Sequence, residues 1–369
     1  MKIKTITCHD VYNAGASLQA YALAEYLKTL GNAVEIINYK PEYLKHYKLT
    51  GVGNPAYDKP VLREAYNLLK LPGRLKARKG KRKKEFDAFT EKYLPVTEKE
   101  YTSNDELKAA SLSADVFFAG SDQIWNTFFP NGKDPAFYLD FAPEGAVKAS
   151  YAASFATEKI LDGYEEKIRK WLSALDFISV RELSGLSILK NLEIENAVAV
   201  LDPVFLLDRE KWESMVDAEG FSEPYILVYD FDRSPAVEAF AKRYAEKNKV
   251  KIYSFLSVPY CDRSFEQEGP LMFLSLVRNA DFVISNSFHA TAFSLIFERQ
   301  FAVFKRKEGI NTRMADLLSS VGLSDRMLEN GEADCGEIRF DEVRAKLNEK
   351  IGEAKKYIDT VLGAVKNND

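Results

Sequence analysis

The sequence predicts an α/β protein of two domains, each a parallel sheet wrapped by crossover helices. Three observations carry that expectation. Short β-rich runs alternate with amphipathic helical stretches along nearly the whole chain, the pattern of βαβ units. At 369 residues the chain is too long for one ordinary core and suits two, at roughly 150 residues each. Apolar residues make up 46% and charged residues 29%, which is a globular composition and not a disordered one.

The elements follow in order. Residues 3–7 read as a strand and 17–30 as a helix. On that helix Leu18, Tyr21, Ala22, Leu23, Tyr26, Leu27 and Leu30 form a broad apolar stripe, and Gly31 ends it. Strands are expected at 33–39, 115–119, 149–154, 177–180 and 197–201. After Asp202-Pro203 the chain is expected to cross over through 208–216 and a loop at 219–224. A second series has strands at 225–229, 251–255, 281–285 and 301–304, with helices at 235–248, 271–279, 290–299 and 312–321. A long helix near 341–365 ends the chain and is placed to pack back onto the first domain. The domains expected are therefore 1–206, 207–340 and a returning segment at 341–369.

Two segments break the alternation. Residues 41–62 carry Pro41, Gly51, Gly53, Pro55 and Pro60 and read as an irregular insertion. Residues 63–84 hold ten lysines and arginines against Glu64 alone. A charge run of this kind is usually a solvated face. With Leu68, Leu69, Leu71 and Leu75 interleaved, it also fits peripheral contact with an anionic membrane surface.

Composition excludes several functions. Fifty-one basic against 55 acidic side chains leave a net charge of −4, too weak a field for general nucleic-acid binding. Cys8, Cys261 and Cys335 are odd in number and form no CxxC, so neither a disulfide framework nor a sequence-evident zinc site is expected. No apolar run approaches a membrane span, and the start MKIKTITCHD lacks a signal-peptide core, so the expected location is the cytoplasm. No HExxH, GxSxG or Walker A pattern occurs, so no metal, cofactor or hydrolase elbow is expected.

Ligands of open α/β sheets bind at strand ends, near the starts of the following helices. Four such turns carry candidate residues. In the first, Gly15 would let backbone approach a ligand, flanked by Asn13, Ser17 and Gln19; a glycine turn with Ser17 as a helix cap is the plainer reading. In the second, Gly120, Ser121, Asp122, Gln123 and Asn126 surround Trp125, forming either a sugar platform or a capped helix with a core indole. In the third, Arg181 at a strand mouth could hold a carboxylate or phosphate in a bidentate grip, or simply pair with Glu182. In the fourth, Ser285-Asn286-Ser287-Phe288-His289 places a histidine in a first helical turn. There the helix dipole disfavours the imidazolium and a proton can exchange near neutrality, although lone histidines are more often core residues.

Taken together these pieces resemble the polysaccharide pyruvyl transferase family. The likeness runs through NAGASLQAYAL (13–23), GSDQIWN (120–126), YAASF (151–155), SVRE (179–182), LDPV (201–204), the stretch 281–294 and NTR (311–313). It covers 13 to about 325. GSDQIWN and SNSFHATAFSLIFER are its specific parts. The resemblance implies a GT-B-like fold, two Rossmann-like domains facing across a cleft. It implies transfer of pyruvate from phosphoenolpyruvate, as co-substrate, onto sugar hydroxyls to form a cyclic ketal in a surface polysaccharide. The family's strand-end arginine falls on Arg181 and its helix-start histidine on His289, which are the expected catalytic pair. Many members have an arginine where this chain has Ser287, so anion binding there would fall to Arg313, Arg306 or Lys305. The donor side would then comprise Arg181, Ser287, His289, the Ala290 helix start, Lys305, Arg306 and Arg313. The acceptor side would comprise Asn13, Gly15, Gln19, Gly120, Ser121, Asp122 and Trp125. Acceptors of this kind are often carried on lipid diphosphates, which would give segment 63–84 a task. A nucleotide-sugar glycosyltransferase on the same architecture, or a non-catalytic sugar- or phosphate-binding member, remain the competing readings.

Overall fold

The computed structural model describes residues 1–48, 60–216, 221–307, 311–332 and 334–366. Residues 49–59 of the expected insertion and 219–220 of the expected crossover loop lie outside them. The first half runs β1 (Lys2–Ile6), α1 (Ala14–Thr29), β2 (Ala33–Ile36), α2 (Pro60–Arg78), α3 (Lys81–Tyr93), α4 (Asn104–Ala110), β3 (Val116–Ala119), β4 (Val147–Ser150), α5 (Glu165–Leu172), β5 (Ile178–Val180), α6 (Leu183–Asn191) and β6 (Ala197–Ala199). A 3-10 turn at Pro203–Leu206 leads to α7 (Arg209–Glu213), β7 (Tyr225–Tyr229), α8 (Pro235–Asn248), β8 (Lys251–Ser254), β9 (Arg263–Ser264), α9 (Pro270–Asn279) and β10 (Phe282–Ser285). Then come α10 (Phe288–Ile296), β11 (Gln300–Phe304), α11 (Thr312–Ser320), β12 (Met327–Leu328) and α12 (Phe340–Lys366).

Both sheets are parallel. The second has the order β12-β11-β10-β7-β8-β9, a doubly wound Rossmann arrangement whose direction reverses between β7 and β10. The first has the order β2-β1-β3-β4, and bridges from Ala149 to Phe177 and Ala153 to Val180 carry it on to the β5-β6 pair. Its reversal lies between β1 and β3. Reversal points leave a crevice at the carboxyl ends of the strands, and the loops after β1, β3, β7 and β10 open there. This is the GT-B-like layout.

Helix α1 locks the two sheets together. Asn13 caps it, its Oδ1 accepting from the Ala16 amide at 3.2 Å, so the helix starts at Ala14 and takes Gly15 into its first turn. Gly31, at φ 80°, turns the chain out of it. Residues Ala14 to Ala24 are buried on every side, because α1 lies between its own sheet, the 3-10 turn and α9. Aromatic contacts cross this junction. Tyr21 meets Trp212 at 5.7 Å, Trp212 meets Phe293 at 4.9 Å, and Phe293 meets Phe273 at 5.9 Å. Helix α12 returns to the first sheet, where the Tyr357 hydroxyl donates to the Ser150 carbonyl at 2.8 Å.

Strand β4 begins and ends earlier than the sequence suggests. Residues 151–156 make only isolated bridges, since Ala152 and Ala156 take left-handed conformations that no regular strand tolerates. The segment read as a charge run is helical, as α2 and the start of α3. No helix among the described residues is long and apolar enough to cross a membrane.

Candidate active site

The loops at the two reversal points meet over a buried ionic cluster. Asp202, just after β6, has no exposed surface. Its Oδ1 accepts from the Val204 amide at 3.0 Å, capping the 3-10 turn. Its Oδ2 lies 2.8 Å from Arg181 Nη2 and 3.5 Å from His289 Nε2. Burial pushes this carboxyl up, but the Arg181 charge and the nearby imidazole outweigh that and hold it at about 2.

Arg181 follows β5 with a side chain only 1% exposed. Besides Asp202 it donates to Ser121 Oγ at 2.6 Å, and its Nη1 lies 3.7 Å from Asp122 Oδ1. Arg313, in the first turn of α11, reaches the same Asp122 oxygen at 3.4 Å. The Phe288 ring sits against both guanidinium groups, with centroids 4.9 Å from Arg181 and 5.6 Å from Arg313. One carboxylate is thus held loosely between two arginines.

In front of Phe288 the cleft holds a hollow of about 120 Å³, lined by Asn13, Asp122, Ser287, His289, Arg306 and Arg313 among others. Arg306 grips both Asp232 oxygens through Nε at 3.1 Å and stacks on Phe231 at 4.8 Å. Behind Phe288 lies a second hollow of about 190 Å³, walled by Arg181, Asp202, α11 and α12. His289 fits the cleft only because position 15 is glycine. A Cβ built there would come within 2.1 Å of His289 Nδ1. Gly120 has the same character, at φ 127° and with a Cβ 2.3 Å from the Tyr151 carbonyl.

The structure brings Arg181, Asp122, Ser287, His289, Arg306, Arg313, Asn13 and Gly15 to one place. Other expected residues do different work. Trp125 is fully buried, its indole N–H donates to the Phe137 carbonyl at 2.9 Å, and its ring stacks on Tyr138, so it is core and not a sugar platform. Gln19 is also buried. Its amide donates to Thr7 Oγ1 at 3.0 Å and its carbonyl accepts from the Ser121 amide at 3.1 Å, fixing the loop after β3 from below. Ser121 and Gly120 are enclosed in that loop and hold Arg181 in place of a ligand. Lys305 pairs with Glu329 away from the cleft. Ser287 caps α10 by accepting from the Ala290 amide at 3.4 Å, so that amide is already engaged, as is Ser17 N–H by the Asn13 carbonyl. Arg181 itself stands one layer behind the cleft wall, where a direct ligand grip had been expected.

Asp202, Phe288 and Asp232 were not singled out as site residues by the sequence. Asp202 lies in the turn after β6 as Arg181 does after β5, and that strand-end placement is the signal that could have found it. Glu182, after Arg181, is buried too. It accepts from Ser154 Oγ at 3.0 Å and Ala156 N at 2.9 Å, and burial pushes its carboxyl up.

Residues 13–308 match the sequence profile of polysaccharide pyruvyl transferases. The chain belongs to the polysaccharide pyruvyl transferase family. No curated protein matches it. Solved structures similar to it include the UDP-GlcNAc 2-epimerase of Methanocaldococcus jannaschii in complex with UDP-GlcNAc and UDP, 12% identical with a TM-score of 0.49, over 99% of this chain and 100% of that one. Arabidopsis thaliana UGT89C1 is 8% identical with a TM-score of 0.49, over 99% of each chain. The UDP-GlcNAc 2-epimerase of Neisseria meningitidis bound to UDP-GlcNAc is 10% identical with a TM-score of 0.46, over 98% of this chain and 94% of that one.

Proposed function

We propose that this pyruvyl transferase family member moves pyruvate from phosphoenolpyruvate onto two hydroxyls of a saccharide, closing a cyclic ketal for a surface or extracellular polysaccharide. The observation that carries the reading is Asp122, a carboxylate poised between Arg313 and Arg181 at the wall of a cleft that also holds His289. Its place is where the donor's own carboxylate or phosphate would bind. Displacing Asp122 toward solvent frees the Arg313 guanidinium for the donor, with Arg306 also on the cleft wall and the Arg181 charge one layer behind. Ser287 leaves no arginine two residues before His289, and Arg313 with Arg306 takes over that charge.

The chemistry needs one proton delivered to carbon. His289 protonates the methylene carbon of the enol ester, creating an oxocarbenium-like centre at C2. The first sugar hydroxyl attacks C2, phosphate leaves with the C2–O bond electrons, and the second hydroxyl closes the ring. Of the two hydroxyl protons released, one replaces the proton given by His289 and the other leaves on phosphate. Asp202 holds the imidazole in register during this exchange. The acceptor is a saccharide, free or carried on a lipid diphosphate, and the reaction is cytoplasmic.

Phosphate release from phosphoenolpyruvate, followed with a panel of saccharides, tests the reading. Release that requires both an acceptor and His289 is the expected result. Saturable binding of a nucleotide sugar with no binding of phosphoenolpyruvate would replace it with a glycosyltransferase. Binding without turnover on any acceptor would leave a non-catalytic member.

A further inference from the structure

Helix α2 is an outlier in this fold. It has nineteen residues, yet from Leu68 to Lys79 nearly every residue is exposed or half-exposed. Leu68 is 72% exposed, Leu69 81% and Leu75 42%, the most extensive run of bare leucine on the described surface. An unpacked helix of this length is marginal in water, and its stability has to come from something laid against its apolar face. Around those leucines stand Lys76, Arg78 and Lys79, in a chain whose overall charge is −4. The cations near the α3 end are differently used. Lys81 pairs with Glu268 at 2.6 Å and Lys83 with Asp87. Arg82 donates to the carbonyls of Glu266 and Tyr12, each at 2.9 Å.

We infer that α2 is a membrane-docking helix, seating its leucines among the acyl chains of an anionic bilayer surface while its cations meet the headgroups. Adjacent bare leucines and clustered cations on one short helix match an interfacial segment. A nucleic acid would use the cations and leave the leucines exposed. The Arg82 ties give the docking a direction. They join the α2–α3 junction to Tyr12, one residue from Asn13 at the cleft wall, and to the loop after β9 in the second half. A bilayer on α2 therefore holds the cleft mouth close to the membrane, and in this respect the inference rests on the proposed transfer to a saccharide acceptor.

Flotation of the full-length protein with vesicles tests it, using phosphatidylcholine alone and phosphatidylcholine mixed with phosphatidylglycerol. The wild type is expected to float with the anionic vesicles, less so at high salt, and not with the neutral ones. Lys76→Gln/Arg78→Gln/Lys79→Gln is expected to lower the partition coefficient about a hundredfold, at roughly fivefold per charge. Leu68→Ser/Leu69→Ser is expected to lower it roughly tenfold or more per leucine. These positions are exposed, so circular dichroism and phosphoenolpyruvate binding should match the wild type in both variants. Equal flotation with neutral vesicles, no flotation at all, or variants that float like the wild type would overturn the inference. So would salt-sensitive retention on DNA or RNA in place of vesicles. Flotation is read without turnover, so its failure is separable from failure of the transferase reading. If both stand, the leucine variant should lose activity on a lipid-linked acceptor in vesicles and keep it on a soluble one.

Discussion

Replacing Asp202 probes the ionic cluster that positions the site. In Asp202→Ala the Arg181 guanidinium keeps Ser121 and the distant Asp122 oxygen but loses its 2.8 Å partner, and the 3-10 turn loses its cap. Breaking one side of a buried pair costs about 3–5 kcal/mol. For lobes of this size that is a fall of roughly 10 °C in the thermal midpoint. Asp202→Asn keeps the shape and the cap and removes only the charge. The carboxyl is held near 2 against an ordinary value of 3.8, which corresponds to about 2 kcal/mol of differential interaction. The sign follows from the depression. Stability contributed by this group is complete above the unfolded value, near pH 4, and is lost as pH falls through about 2. Thermal midpoints followed by circular dichroism across acid pH should show Asn below wild type at neutrality and the gap closing in that window. Equal midpoints at neutrality, or a gap that does not change with pH, would refute the ion-pair account.

Three further outcomes follow from the same geometry. Gly15→Ala drives a methyl into His289 Nδ1, so turnover should fall by roughly a hundredfold, as expected for a misplaced catalytic group, with a smaller change in phosphoenolpyruvate affinity by calorimetry. Asp122→Asn removes the carboxylate that competes for Arg313 and Arg181, and phosphoenolpyruvate should bind several-fold more tightly; weaker binding would show that Asp122 helps the donor instead. Glu182 is a buried acid whose carboxyl burial pushes up, so its ionisation penalises the fold increasingly above the ordinary glutamate range. Glu182→Gln keeps an acceptor for Ser154 and Ala156, and its midpoint relative to wild type should rise with pH from acid toward neutrality.

Much of this architecture was legible because local pattern and fold agree. The strands at 225–229 and 281–285 carry the continuous apolar runs Tyr225–Tyr229 and Phe282–Ile284, as buried parallel strands must, and the turn from Ser285 into His289 could be placed at a strand end on that basis. Strand-end position alone brought His289 and Gly15 to the cleft and Arg181 to the layer behind it. The site was illegible where a side chain's partner is distant in sequence. Trp125 stands in the same polar run as Asp122. Only the fold reveals that its indole N–H meets the Phe137 carbonyl while Asp122 turns, with φ 73°, toward Arg313 nearly two hundred residues away. Asp202 was passed over for the same reason, since the residues LDPV do not reveal that Arg181 and His289 converge on its carboxylate.

On the proposed reading the cleft binds phosphoenolpyruvate through arginines on its wall and uses His289 to move a proton. Calorimetric titration of phosphoenolpyruvate into wild type, Arg313→Ala and His289→Ala, with a nucleotide sugar titrated in parallel, tests it most directly. Binding to wild type, loss of binding without Arg313, near-normal binding without His289, and no heat from the nucleotide sugar are expected. Binding of the nucleotide sugar alone, or phosphoenolpyruvate binding indifferent to Arg313, would contradict this reading.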